Sequence, residues 1–199
     1  MSLGGDEFLE KPIKADHLVS VVKSRLERLR IIRALMIRDS LTGLLNHTSF
    51  RGQLKQELDR CNRQKTILAL AMLDLDTFKN INDTYGHAVG DSVLKSLSRL
   101  LRQRLRKSDI IGRYGGEEFV VILLDVDSES AYKVMDGIRE HFAEIQHFAP
   151  DKGFFSVTFS CGIATFPEFT NATLISDAAD QAMYRAKAAG RNQVMTASQ

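Results

Sequence analysis

Apolar residues in the first part of the chain recur every three or four positions, at Leu18, Val22, Leu26, Leu29, Ile32 and Met36. That is the period of one helical face and predicts a long amphipathic helix from Asp16 to about Met36, with Asp16 available as its N-cap. Arg25, Glu27, Arg28, Arg30 and Arg33 lie between the apolar positions, either as a solvated face or as the charged flank of a dimeric coiled coil. A break at Gly43 precedes a second helix, with Thr48 or Ser49 as N-cap and Phe50, Leu54 and Leu58 on the buried side. The period then changes. From Ile67 to Leu75 every residue but Asp74 is apolar, which suits a central strand covered on both faces. The segment FKNINDTYGHAVGD, Phe78 to Asp91, is polar and rich in turn formers and reads as a loop. Helical spacing returns after Asp91 through Val93, Leu94, Leu97, Leu100, Leu101 and Leu105.

Two β-rich runs in DIIGRYGGEEFVVILLDV are joined at Gly115-Gly116, a pair free to adopt the positive φ of a tight hairpin turn. Helix SESAYKVMDGIREHFAEI, strand FFSVTFSCGIATF and helix SDAADQAMYRAKAAG follow, the last closed by Gly190. From residue 40 the order is α, β, α, hairpin, α, β, α. It implies an α/β (α+β) domain with a central, mostly antiparallel sheet flanked by helices.

A chain of 199 residues accommodates one well-buried domain and an extension. The net charge is only +2, and outside Lys23–Arg38 the two signs are interspersed. No nucleic-acid partner is expected, and an anionic ligand should be small and locally bound. No apolar run approaches the ~20 residues that cross a bilayer, so no membrane association is expected and the chain reads as cytoplasmic. Cys61 and Cys161 are isolated thiols with no assigned role. Met1–Leu3 resemble a cloning remnant, so the natural chain is expected to continue upstream.

Asp74 closes the apolar strand and Asp76 follows on the same face, with Leu75 on the other. A carboxylate there is either a strand-end group in solvent or one partnered by a divalent cation. Glu117 and Glu118 follow the Gly115-Gly116 turn at the start of a strand. Alternation allows only one of them to share a site with Asp74 easily. Two carboxylates and a main-chain carbonyl, completed by phosphate oxygens and water, is a usual form of magnesium site for a nucleoside triphosphate. Asp180, Tyr184, Lys187 and Arg191 are spaced along one helical face, opposite Ile175, Ala179, Ala182 and Ala186. That face is either solvated or suited to a polyphosphate. Lys79 can neutralise phosphate, and Asn82 with Asp91 can read a guanine edge; the plainer readings are an Asx-turn for Asn82 and an N-cap for Asp91.

Taken together, DSLTGLLN at 39–46, DLDTFKNINDTYGHAVGD at 74–91, GRYGGEEF at 112–119, SCGIA at 160–164 and ADQAMYRAKAAGRN at 179–192 resemble the GGDEF family of diguanylate cyclases. The resemblance implies a five-stranded, palm-like nucleotidyl-cyclase fold and condensation of two GTP into cyclic di-GMP with release of two pyrophosphates. It implies that Asp74, the Leu75 carbonyl and Glu117 hold Mg²⁺ or Mn²⁺, with Glu118 assisting and Glu117 also the base for the 3′-hydroxyl. Lys79 would stabilise phosphate charge, and Lys187 and Arg191 would grip the outer phosphates. Phe78, Asn82, Asp91, Gly115 and Gly116 would contact GTP, with Asn82 and Asp91 recognising guanine. One domain binds one GTP, so a homodimer is implied. Arg106 and Asp109, in RKSD, match the family's inhibitory site for cyclic di-GMP. His47 stands where the family usually has arginine, and Glu117 replaces the aspartate of the family name.

A second GGDEF, Gly4 to Phe8, precedes Lys11-Pro12 and resembles the last strand and Lys-Pro turn of a two-component receiver domain. It is expected to be an accidental match. The implied organisation is a remnant and receiver tail over 1–15, a linker helix over 16–38 and the GGDEF domain over 39–199, as the output of a response regulator. The alternatives are a non-catalytic module that senses GTP or cyclic di-GMP, and a cyclase that also accepts ATP, which Asp91 disfavours.

Overall fold

The structure, a computed structural model, describes residues 15–150 and 152–197. The match at Gly4 to Phe8 and the Lys11-Pro12 turn lie outside the described residues, as do the side chains of Leu18, Leu29, Ile32 and Met36. The chain divides into two compact units, Met1–Arg38 and Asp39–Gln199.

The first unit contains helix α1, Ala15–Ile37, in which Asp16 occupies the first turn instead of the cap. Val22 and Leu26, on the predicted apolar seam, are exposed.

In the second unit, α2 (His47–Gln64) is capped by Asn46, whose side chain accepts from the Ser49 N–H at 3.0 Å. The expected caps, Thr48 and Ser49, are therefore inside the helix. Strand β1 (Leu68–Leu75) is buried along its whole length. Next come two helices, α3 (Phe78–Tyr85) and α4 (His87–Arg104), where one loop and one helix were expected. Phe78 and Ile81 are buried, one helical turn apart, and Gly86 separates the helices at φ 85°. Asp91 thus lies within α4 and not at its cap, and Asn82 belongs to a helix and not to an Asx-turn.

Strands β2 (Ile110–Arg113) and β3 (Glu118–Leu124) form the expected antiparallel hairpin. Helix α5 (Ser128–Glu144) is capped by Asp127. The predicted strand from Phe154 to Phe166 is divided. Strands β4 (His147–Ala149) and β5 (Gly153–Phe155) pair as a separate two-stranded sheet, and β6 (Phe159–Phe166) enters the main sheet. After α6 (Ala172–Ala188) a short strand, β7 (Val194–Thr196), pairs parallel to β6. The five-stranded sheet has the order β2-β3-β1-β6-β7 and is antiparallel except for this last pair.

Alternation along β1 explains the layers. Ala69, Ala71, Leu73 and Leu75 join residues of α3, α4 and α5 in one core, among them Phe78, Leu97, Leu101, Met135 and Phe142. Leu68, Leu70 and Met72 join Phe50, Leu54 and Leu58 of α2 and Ile175, Ala179 and Met183 of α6 in the other. Asp74 continues the second series at the strand's last turn toward water, so the fold delivers its carboxylate beside α6.

Candidate active site

Asp74 is only 6 % exposed and pairs in register with Glu118 of β3. Residues directly opposite in an antiparallel pair project to the same face. The Leu75 N–H donates to the Glu117 carbonyl at 3.3 Å, tying the residue before β3 to the same strand end. Because Glu117 precedes the strand, alternation does not send it away. Burial raises the pKa of Asp74; Lys187 opposes the rise by hydrogen bond and charge, and Asp76 and Asp180 add to it. Burial likewise raises Glu117, with Asp74 and Glu118 adding to the rise and Lys187 opposing it. Glu118 is raised by burial and by Asp74, against the opposing charges of Lys187 and His47. Both glutamates thus feel the charge of Asp74, and Glu118 is the one that lies directly opposite it in the sheet.

Lys187 Nζ lies 2.9 Å from Asp74 Oδ2. One ammonium against clustered carboxylates leaves an excess of negative charge in a partly desolvated place, which suits a divalent cation. Among the described residues no three histidines, cysteines or acids converge as a ready-made metal cluster. Asp74 and Glu117 would therefore need the Leu75 carbonyl, water and phosphate oxygens to complete a hard cation's shell.

Neither Gly115 nor Gly116 has positive φ, which corrects the reason expected for their presence. A Cβ on Gly115 would overlap the Glu118 carboxylate, so glycine here makes room for an acid. The Gly116 carbonyl accepts from Arg113 Nε at 3.2 Å and Nη2 at 2.6 Å. Arg113 Nη1 also donates to both Asp39 oxygens at 3.1 Å. Burial alone would raise Asp39, but hydrogen bonds from Thr42 and Arg113 outweigh it and hold the carboxyl below its ordinary value. Sequence reasoning quoted Asp39 and Arg113 within motifs but assigned neither a role; together they staple the turn that carries Glu117.

His47, unexplained at the sequence level, opens α2 and meets Tyr114 edge-on, ring centroids 4.2 Å apart.

Helix α3 starts directly beyond β1, with Lys79 exposed in its first turn. A Cβ on Gly90 would overlap the Asn82 amide oxygen and press on the Phe78 ring. Gly90 thus lets α4 approach α3 closely enough to set Phe78, Asn82 and Asp91 in one neighbourhood. It too was missed, although a glycine beside a proposed recognition residue was a usable signal.

Lys187 belongs to α6, but Arg191 lies beyond the helix, after Gly190 at φ 117°. The expected single helical face of Asp180, Tyr184, Lys187 and Arg191 therefore ends at Lys187.

Asp109 Oδ2 accepts from the Arg106 N–H at 2.9 Å, and Oδ1 accepts from the Leu124 N–H at 3.4 Å. Asp109 shapes the turn after α4, and Arg106 is exposed.

The fold thus sets carboxylates at one end of a mostly antiparallel sheet, beside a glycine-rich hairpin and a lysine from the facing helix. Residues 36–193 match the family described as diguanylate cyclase, GGDEF domain, and the chain belongs to that family. The diguanylate cyclase DgcP of Pseudomonas aeruginosa is 42 % identical over 166 residues, 83 % of this chain and 24 % of that protein. The response regulator PleD of Caulobacter vibrioides is 34 % identical over 207 aligned positions, 98 % of this chain and 46 % of that protein. The chain spans less than half the length of these two curated relatives. The crystal structure of the coiled coil and GGDEF domain of DgcB from Caulobacter crescentus, in complex with c-di-GMP, is similar with a TM-score of 0.85. It is 28 % identical, and the match covers 92 % of this chain and 96 % of that one. Among the described residues no helix is long and apolar enough to cross a membrane.

Proposed function

We propose that this chain is a diguanylate cyclase that condenses two GTP molecules into cyclic di-GMP and two pyrophosphates. The observation that carries the reading is that Asp74 lies opposite Glu118 with Glu117 adjoining at the same strand end, with raised carboxyl pKa values and Lys187 in contact with Asp74. Asp74, the Leu75 carbonyl and Glu117 would hold Mg²⁺ or Mn²⁺, which when bound supplies Lewis-acid polarisation of the α-phosphate and eases ionisation of the attacking hydroxyl. Glu117 takes the proton from the 3′-hydroxyl, and Glu118, opposite Asp74, keeps the pocket acidic. Lys79, Lys187 and Arg191 neutralise the triphosphate, and Gly115 and Gly116 leave the main chain open to it. Asn82 and Asp91 read guanine, beside the close approach of α3 and α4 at Gly90.

Each domain presents one such pocket, so the reaction needs a second copy face to face. Exposed Val22 and Leu26 on α1 support pairing of the linker helices as a coiled coil, and likeness to PleD supports a role as the output of a response regulator. Activity per mole of protein is expected to rise with protein concentration and to vanish with chelator, returning on addition of Mg²⁺. A specific rate independent of concentration would contradict the dimeric mechanism, and a rate unchanged by chelator would contradict the metal.

Arg106 and Asp109 form the product-binding site for feedback inhibition. Arg106→Ala is the cleaner probe, because Asp109 also supports the turn. It is expected to abolish inhibition by added cyclic di-GMP while leaving the initial rate within about twofold. Undiminished inhibition would rule the site out.

A further inference from the structure

Asp76 is a buried carboxylate that the proposed chemistry leaves unused. It is 6 % exposed, as deeply buried as Asp74, yet its oxygens are occupied. Thr158 Oγ1 donates to Oδ2 at 2.7 Å, Ser160 Oγ to Oδ1 at 2.7 Å, and the Asn192 N–H to Oδ2 at 3.0 Å. A carboxylate so satisfied has little left to offer a metal ion.

The Asn192 bond joins the end of β1 to the turn that follows α6. In that turn Arg191 and Asn192 both have positive φ, 66° and 45°, a conformation that asparagine adopts readily but that arginine keeps only where its surroundings hold it. Asn192 is held from its other side by Arg139 of α5, whose Nη1 donates to Asn192 Oδ1 at 2.9 Å. Arg139 is itself fixed by Asp136 at 2.6 Å. Asp76 and Arg139 thus clamp Asn192 between the catalytic strand and α5, and the residue beside it is Arg191.

We propose that Asp76 is a positioning residue that holds the Arg191–Asn192 turn against β1, so that Arg191 is presented to the substrate triphosphate. This rests on the proposed function, in which Arg191 grips the outer phosphates. The other ties of the turn do not involve Asp76. The Arg191 N–H donates to the Ala186 carbonyl at 3.0 Å, and the Cys161 N–H to the Gln193 carbonyl at 2.9 Å. Loss of the carboxylate therefore frees the edge facing β1 without dismantling the link from α6 to β7.

Asparagine and alanine separate positioning from charge. An asparagine with its carbonyl oxygen at the Oδ2 position still accepts from Thr158 and Asn192, and its amide donates to the Ser160 hydroxyl, which can accept. Alanine offers nothing. The test is steady-state kinetics with GTP on the whole chain for Asp76→Ala, Asp76→Asn, Arg191→Ala and the Asp76→Ala/Arg191→Ala pair. Binding of a GTP analogue with a non-cleavable α–β bridge is measured alongside by calorimetry.

Asp76→Ala is expected to raise KM and weaken analogue binding about tenfold with kcat within about threefold, while Asp76→Asn stays within about threefold on every measure. With Arg191 already replaced, Asp76→Ala should change binding by less than about twofold, because the two act as a unit. An Asp76→Asn variant as damaged as Asp76→Ala, or an Asp76→Ala effect undiminished without Arg191, overturns the proposal. Should Asp76→Ala fold poorly, Arg139→Ala frees Asn192 from the other side and carries the same binding expectation; unchanged analogue affinity there overturns it. The calorimetric arm needs no turnover, so a chain that binds the analogue but makes no cyclic dinucleotide sinks the proposed reaction and leaves this inference standing.

Discussion

Asp74→Asn is expected to lower kcat for cyclic di-GMP formation by about 10³-fold or more, since loss of a metal ligand removes several kcal/mol of charge stabilisation and each ~1.4 kcal/mol is tenfold in rate. The fold should survive. Burial raises the pKa of Asp74, with Asp76 and Asp180 adding to the rise and Lys187 opposing it. A neutral amide relieves the repulsion among the acids while giving up the Lys187 pair, so the thermal midpoint is expected to stay within about 4 °C of the parent, roughly 1 kcal/mol for a domain of this size. Glu117→Gln should behave alike. A catalytically silent variant with a normal melt separates chemistry from folding. Retention of more than about a tenth of the activity would mean that the carboxylate does not hold the cation.

Gly162→Ala is expected to damage both stability and activity, for a reason that lies in the backbone. A Cβ at Gly162 in β6 would overlap the Ala179 carbonyl oxygen and the Met183 nitrogen of α6. Neither atom is the end of a flexible side chain, so helix and strand must separate. Overpacking of this kind costs about 1–3 kcal/mol, and at the upper end the midpoint falls by roughly 6–12 °C. The displaced helix is the one that carries Lys187, 2.9 Å from Asp74, so activity should fall at temperatures where the variant is still folded. Circular dichroism melts and initial rates on the same sample check both effects. An unchanged melt would show that α6 does not pack on β6 as closely as the structure has it.

How much of this was legible in the sequence varies with the signal each residue leaves. Asp74 stood out because a single acid closing an apolar strand contradicts its surroundings, and Glu117 and Glu118 because they interrupt an equally apolar run. The hairpin joining β2 and β3 and the helical layers followed from plain changes of period. Helix α3 was missed because eight residues with few apolar members resemble a loop, although Phe78 and Ile81 one turn apart were a faint sign. Strand β7 is three residues long and depends on parallel pairing with β6, a contact between distant segments that no local pattern encodes.

Gly115 was recognised but misexplained, whereas Gly90 and Gly162 were given no role from the sequence. Gly115 gives space to the Glu118 carboxylate, Gly90 to Asn82 and Gly162 to a helix, and each reason concerns a neighbour remote from the turn angles that sequence suggests. Arg191 was set on the helical face by its spacing alone, although Gly190 was already read as closing that helix, and it lies in the turn beyond. The ion pair of Asp39 with Arg113 and the bonds of Asp76 with Asn192 likewise join residues far apart in the chain. Their motifs were visible, but their partnerships required the fold.

The central claim is that the strand end bearing Asp74, Glu117 and Glu118 joins two GTP molecules. Its most direct test is mass-spectrometric identification of products after protein stripped of bound nucleotide is incubated with GTP and Mg²⁺. The account predicts cyclic di-GMP and pyrophosphate in a ratio of one to two; GTP recovered intact at every protein concentration tried would contradict it.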